Sequence, residues 1–169
     1  DLNKPIVAAV NGICCGGGLE IALSADIIIA ADHATFALPE IRAGTVADAA
    51  SVKLPKRIPY HIAMEMLLTG RWIDAQEAHR WGLVNEIVPA ETLMARAWEQ
   101  ARLLERGPPL VYAAIKEIVR AAEAMTFQAA MNKITKRQFP TVDALYASVD
   151  QNEGARAFAE KRDPVWRGY

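Results

Sequence analysis

The sequence predicts an α/β fold whose first half alternates strand, turn and helix and whose second half is helical. Three observations carry this. The runs "PIVAAVN" (residues 5–11) and "DIIIAA" (residues 26–31) have the continuous apolar character of strands buried on both faces. A glycine-rich turn, Gly12 to Gly18, lies between them and leads into a helical stretch. From Pro59 onward, apolar residues recur at helical spacing between start and stop signals.

Taken in order, "PIVAAVN" reads as a strand, Gly12–Gly18 as a turn and "LEIALSA" (19–25) as a helix. "DIIIAA" is a second buried strand, being β-branched and apolar. "TFALPEIRAGTVAD" (35–48) reads as a strand end followed by loop, because Pro39 and Gly44 interrupt any helix. "PYHIAMEMLLTG" (59–70) is a helix closed by Gly70. "DAQEAHRWG" (74–82) opens on the cap residue Asp74, carries Glu77 three positions on, and stops at Gly82. "LVNEIVP" (83–89) is a strand. Four helical segments follow, the last of them, "VDALYASVDQNEGARAFAEKR" (142–162), open to division. The texture changes near residues 85–90, where a spiral α/β core (1–88) passes into a helical region (89–169).

The bulk numbers exclude several classes. A chain of 169 residues with 52% hydrophobic residues can build a real core. A formal net charge of −1 argues against nucleic acid as a partner. No apolar run reaches the length of a membrane span; Glu20, Asp26 and Asp32 break the longest. Cys14 and Cys15 are adjacent and have no other cysteine to pair with, which points to a reducing cytoplasm and to small buried thiols rather than a nucleophile. The three histidines are scattered without metal-ligand spacing, so no metal is expected. The first residue is Asp1 and a strand follows at once, so a piece of a longer chain is expected.

The chemistry concentrates at "NGICCGGGLEIALSADIII" (11–29) and "FALPEIRAG" (36–44). The glycines admit two readings. One is a tight strand-to-helix connection. The other is a loop exposing backbone N–H groups at a helix N-terminus, where they can stabilise an oxyanion. A dinucleotide fingerprint fits poorly, since Glu20 follows Leu19 where a third glycine is wanted, and a phosphate loop lacks its Gly-Lys-Ser/Thr. Glu20, in the first turn of its helix, is either a solvated helix residue or a general base. Glu40, among apolar neighbours, is either an ordinary loop carboxylate or, if buried, an acid. Carboxylates in different environments can divide acid and base duties. Spacing alone does not show that two residues twenty positions apart meet.

Four segments in order, "NGICCGGGLEIALSADIIIAAD", "FALPEIRAGTVAD", "AMEMLLTGRWIDAQEAHRWGLVNEIVP" and "AFAEKRDPVW", resemble the enoyl-CoA hydratase/isomerase (crotonase) superfamily over essentially the whole chain. A finer likeness, carried by "FALPEIRAGTVAD" and "AFAEKRDPVWRGY", is to its members that act on carnitinyl-CoA. The resemblance implies a ClpP/crotonase-like spiral ββα core, here its C-terminal part, with a helical C-terminal trimerisation region. It implies hydration of 2-enoyl-CoA thioesters, or dehydration of 3-hydroxyacyl-CoA, with CoA arriving as part of the substrate and no separate cofactor. Gly17, beside Gly16 in the substrate loop, matches the position that gives one oxyanion N–H; the second is expected from a segment upstream of Asp1. Glu20 and Glu40 match the two glutamates that hold the water. Asp48 matches a catalytic aspartate of dehalogenases and synthases within the family; beside two glutamates it reads as lining the acyl pocket, or as a solvated loop residue. Phe158 and Lys161 match residues that approach the CoA of a neighbouring subunit, in a homotrimer or hexamer; otherwise they are a packed Phe and a solvated Lys. The chain departs from the common pattern at "VADAASVKLPK" (46–56), where Ala47, Ala49, Ala50 and Ser51 stand in a loop that is usually glycine-rich and about one residue longer. Rival expectations are an enoyl-CoA isomerase, which can run on one main carboxylate, and a non-catalytic protein of the same fold, such as an RNA binder.

Overall fold

The computed structural model describes residues 2–169, so the expectation attached to Asp1 lies outside the described residues. The chain forms two compact units, Ile6–Ala101 and, separately, residues 2–5 with Arg102–Tyr169.

The first unit is a two-sheet spiral. β1 (Val7–Val10), β3 (Ile27–Ala31) and β6 (Glu86–Val88) form one parallel sheet in the order β1-β3-β6. β2 (Ile13–Cys15) and β4 (Thr35–Ala37) pair in parallel, and the short β5 (Ile73–Asp74) joins β4 antiparallel. The two early sheet strands of each turn, β1 then β2 and β3 then β4, therefore go one to each sheet. After β2 comes α1 (Gly17–Ala22), and after β4 come a 3-10 turn (Pro39–Ala43), α2 (Asp48–Lys53) and α3 (Tyr60–Thr69). This is the ββα spiral that the resemblance implies. Its core runs through Leu19, Ile28, Phe36, Leu38, Leu54 and Met66, all buried. The continuous apolar run of β3 follows from its central place between two strands, with Ile29, Ala30 and Ala31 essentially inaccessible.

The structure corrects the sequence reading at three places. The turn expected over Gly12–Gly18 contains β2, because Ile13–Cys15 finds a parallel partner in β4 that local sequence does not announce. Helix α1 starts at Gly17 and ends at Ala22, two and three residues earlier than expected; glycines are tolerated in a first turn, where the backbone N–H groups have no intrahelical acceptor. The loop expected after Thr35 holds the 3-10 turn and leads directly into α2. The alanines Ala47, Ala49 and Ala50 favour helix there.

Other elements form as read. Gly70 closes α3 in the left-handed conformation (φ 61°). Asp74 caps α4 (Ala75–Arg80) by accepting the Glu77 N–H at 2.7 Å. The Glu77 carboxylate pairs instead with Arg71, at 2.7 and 3.1 Å, and also receives the Trp81 indole N–H. Hydrogen bonding to the Arg71 guanidinium holds Glu77 below the usual carboxylate range.

The second unit is helical. α5 (Leu93–Glu105) passes from one unit into the other, and α6 (Pro109–Ala122), α7 (Phe127–Thr135), α8 (Pro140–Ala147) and α9 (Glu153–Glu160) follow. The division expected in the last segment is present: α8 and α9 are separated by a 3-10 turn, Val149–Asn152. Ala114, Phe139 and Val142 form the small core of this unit. Beyond α9 the chain turns back and is strapped down by two carboxylates. Asp150, 4% exposed, accepts the backbone N–H groups of Arg167 and Gly168. Glu153 pairs with Arg162 at 2.6 Å and accepts the Val165 N–H at 2.8 Å.

Candidate active site

The site begins with a register. In the parallel pair of β2 and β4, Cys15 stands opposite Ala37, so both strands end at the same edge. The Gly16 N–H donates to the Ala37 carbonyl at 3.1 Å and stitches the two exits together. Parallel strands present their carboxyl ends in this way as places for ligands.

Gly16 has φ 54° and ψ −129°, a conformation that a side chain resists. A Cβ there would stand 2.8 Å from Glu40 Oε1. Glycine at this position thus serves two ends: it makes the sharp entry into α1, and it leaves room for a carboxylate from the other strand exit.

Glu20 sits one turn along α1, its N–H donating to the Gly16 carbonyl at 3.1 Å. Leu19 and Ala22 turn into the core, and Glu20 is half-buried between them. Its Oε1 accepts the Ala50 N–H, from α2, at 3.0 Å. Glu40, half-buried in the first turn of the 3-10 segment, differs. Its Oε2 is buried and has no hydrogen-bond partner among the described residues. Its carbonyl accepts the Thr45 N–H at 3.1 Å, which tightens the chain leading to α2. Glu40 lies on the wall of a cavity of about 280 Å³ whose other walls include Leu38, Ile41, Val46, Met64 and Leu67. One carboxylate is therefore oriented by a backbone donor, and the other brings an unpartnered oxygen to an apolar chamber. Glu40 lies close to Gly16, and Glu20 is on the helix that Gly16 opens.

Gly17 and Gly18 are exposed, and open space surrounds the position a Cβ would take at either. They occupy the first turn of α1, where N–H groups lack intrahelical acceptors. Asp48 is exposed at the first position of α2, with Ala47 and Ser51 beside it on the cavity wall. Phe158 and Lys161 belong to the helical unit. Phe158 is 87% exposed on α9, and Lys161 is the exposed residue ending that helix in a left-handed conformation (φ 54°). Cys14 is buried, and burial, with a smaller contribution from Cys15, pushes its thiol up to about 11. That thiol is a weak nucleophile at neutral pH. Among the described residues no cluster of His, Cys, Asp or Glu could hold a metal ion.

Sequence reasoning missed the Ala50 donor and a contact behind Glu20. Lys53 Nζ donates to Ser24 Oγ at 2.6 Å, and Ser24 Oγ donates to the Glu20 carbonyl at 3.0 Å. The only local signal was the serine four residues after a glutamate, a common back-bonding pattern. The Lys53 end depends on how α1 and α2 meet.

Comparison with known proteins fits this geometry. Residues 1–169 match the family model described as enoyl-CoA hydratase/isomerase. The chain is 49% identical to a carnitinyl-CoA dehydratase of Citrobacter koseri, covering 99% of this chain and 65% of that protein. It is 48% identical to the protein of that name from Salmonella arizonae, covering all of this chain and 65% of the relative. Among solved structures it superposes on the enoyl-CoA hydratase of Mycobacterium tuberculosis H37Rv with a TM-score of 0.91 at 38% identity, covering 99% of this chain and 65% of that one. An enoyl-CoA hydratase from Bacillus anthracis gives a TM-score of 0.91 at 33% identity, covering 100% and 64%. The chain thus spans about 65% of the length of the curated relatives it matches. With the spiral of paired strands, the Gly16 turn and a family model matched from end to end, the chain belongs to the enoyl-CoA hydratase/isomerase family.

Proposed function

We propose that the protein adds water across the double bond of 2-enoyl-CoA thioesters, or removes it from 3-hydroxyacyl-CoA, with carnitinyl-CoA among its substrates. The observation that supports this is the close approach of Glu40 to Gly16, the residue from which the helix bearing Glu20 starts. Water is a poor nucleophile and needs a base, and the α-carbon needs a proton. Glu20, oriented by the Ala50 N–H, activates the water. Glu40, whose Oε2 is buried and unpartnered on the cavity wall, delivers the proton to the α-carbon. The enolate oxygen that develops on the thioester is held by fixed backbone dipoles, the Gly17 N–H among them.

The acyl part of the substrate takes the apolar cavity, with Gly16 beside the reacting atoms and Asp48 at its rim. Phe158 and Lys161 contact the CoA moiety of a neighbouring subunit in a homotrimer or a pair of trimers. The reaction needs no cofactor of its own, because CoA arrives with the substrate. A cytoplasmic location fits this metabolism; among the described residues no helix is long and apolar enough to cross a membrane. The relatives named for carnitinyl-CoA support that substrate, and the family match supports the wider class.

The test is hydration of crotonyl-CoA and crotonobetainyl-CoA, followed by loss of the enoyl-thioester absorbance. Glu20→Gln and Glu40→Gln should each lower kcat at least 100-fold, in the range that general acid–base catalysis contributes. Full activity in Glu20→Gln would remove it as the base. Shift of a double bond without uptake of water would replace hydration by isomerisation.

A further inference from the structure

Beside Glu20, α1 and α2 are joined by a short chain of polar groups. Glu20 must hold its carboxylate still to serve as a base, yet α1 spans only Gly17–Ala22 and opens on glycines. A helix this short has little stability of its own. Two groups on α2 reach it. The Ala50 N–H holds Glu20 Oε1 at 3.0 Å. One turn further, Lys53 Nζ donates to Ser24 Oγ at 2.6 Å, and Ser24 Oγ donates to the carbonyl of Glu20 itself, at 3.0 Å. The carboxylate and the backbone of one residue are thus tied to the same neighbouring helix, by a donor near each end of the contact.

We propose that Lys53 and Ser24 are positioning residues for Glu20: their bond pins the C-terminal end of α1 to α2 and so fixes the reach from the Ala50 N–H to the Glu20 carboxylate. The inference rests on Glu20 being the base. The ammonium suits the place. It bonds Ser24, two residues beyond the end of α1, and a cation near a helix C-terminus is favoured by the helix dipole. Its hydrogen bond to a hydroxyl that in turn donates to a carbonyl polarises the pair in one direction. Neither residue lines the cavity, so the pair acts through Glu20 and not on substrate.

The experiment combines steady-state kinetics of crotonyl-CoA hydration with amide hydrogen exchange on the full chain. Lys53→Met should lower kcat about 10-fold while KM changes less than twofold, and Lys53→Arg should restore most of the loss. Ser24→Ala should match Lys53→Met, and the double variant should be no worse than either, as expected for residues in one network. In Lys53→Met the Ala50 amide should exchange at least 10-fold faster, while amides of β3 keep their protection. Unchanged kcat, or an unchanged Ala50 amide, overturns the proposal. A loss that appears equally in β3 exchange also overturns it, since that is general destabilisation. If Glu20→Gln were fully active the assignment of Glu20 as the base would fall, and Ala50 exchange would still decide whether the clamp exists.

Discussion

Gly16 shows how much a single residue can settle. Its positive φ and the 2.8 Å approach of Glu40 Oε1 make two separate demands, and only glycine meets both. Gly16→Ala should cost about 1–3 kcal/mol for holding a Cβ in a sparsely populated conformation. Glu40 can swing aside, so the steric part should appear in activity more than in stability. The expected result is a denaturation midpoint lowered in keeping with that cost and a kcat that falls further than Gly17→Ala produces, because open space surrounds the Gly17 position. Equal kinetic effects of the two variants would show that the carboxylate does not depend on this approach. The glycines and both glutamates were legible in the sequence as candidates, because their residue types are chemically distinctive. The reason for Gly16 was not, since the atom it makes room for lies on a different strand exit.

At the scale of elements, caps written in the sequence can be separated from ties made by folding. Asp74 was readable as a helix start, and the structure has its carboxylate accepting the Glu77 N–H. Asp74→Ala should therefore destabilise the first unit by about 1 kcal/mol, measured by chemical denaturation. The expected return bond from Glu77 is not made, because Arg71 offers that carboxylate a two-pronged partner. The strap after α9 was not legible. Glu153 is drawn down to about 2 from 4.5, first by hydrogen bonding to Arg162 and then by the Val165 N–H. A carboxylate with a depressed folded-state pKa contributes stability that is complete above its unfolded value. That contribution is lost as pH falls from about 4.5 toward about 2. Trp166 packs against Gly154 and reports on the strap. Its fluorescence should change over that acid window, and the change should be smaller in Glu153→Gln, which removes the carboxylate that holds Arg162 and the Val165 N–H. β2 and α2 were missed for the opposite reason to Asp74. A three-residue strand has no periodicity to read, and a six-residue helix over alanines looks like any loop.

For the whole molecule, the longer strands and helices and the passage from a strand-rich first half to a helical second half were legible in the sequence alone. Buried parallel strands must be apolar throughout, and surface helices must repeat every turn, so composition and period reveal them before any fold is known. The sequence also determined the candidate chemistry: a glycine turn, two carboxylates in apolar surroundings and no disulfide framework. Only the tertiary structure decided how these parts lie relative to one another. Parallel pairing of Cys15 with Ala37 brings the ends of β2 and β4 together, and that register carries Glu40 to Gly16 and to the foot of the helix bearing Glu20. The same packing sets the Ala50 N–H on Glu20 and Lys53 on Ser24, across 30 and 29 residues of chain. Side-chain type is local information, and so is helical period. The register of parallel strands and the meeting of two helices are selected by the burial of the entire core, which is why no short stretch of the chain could have shown them.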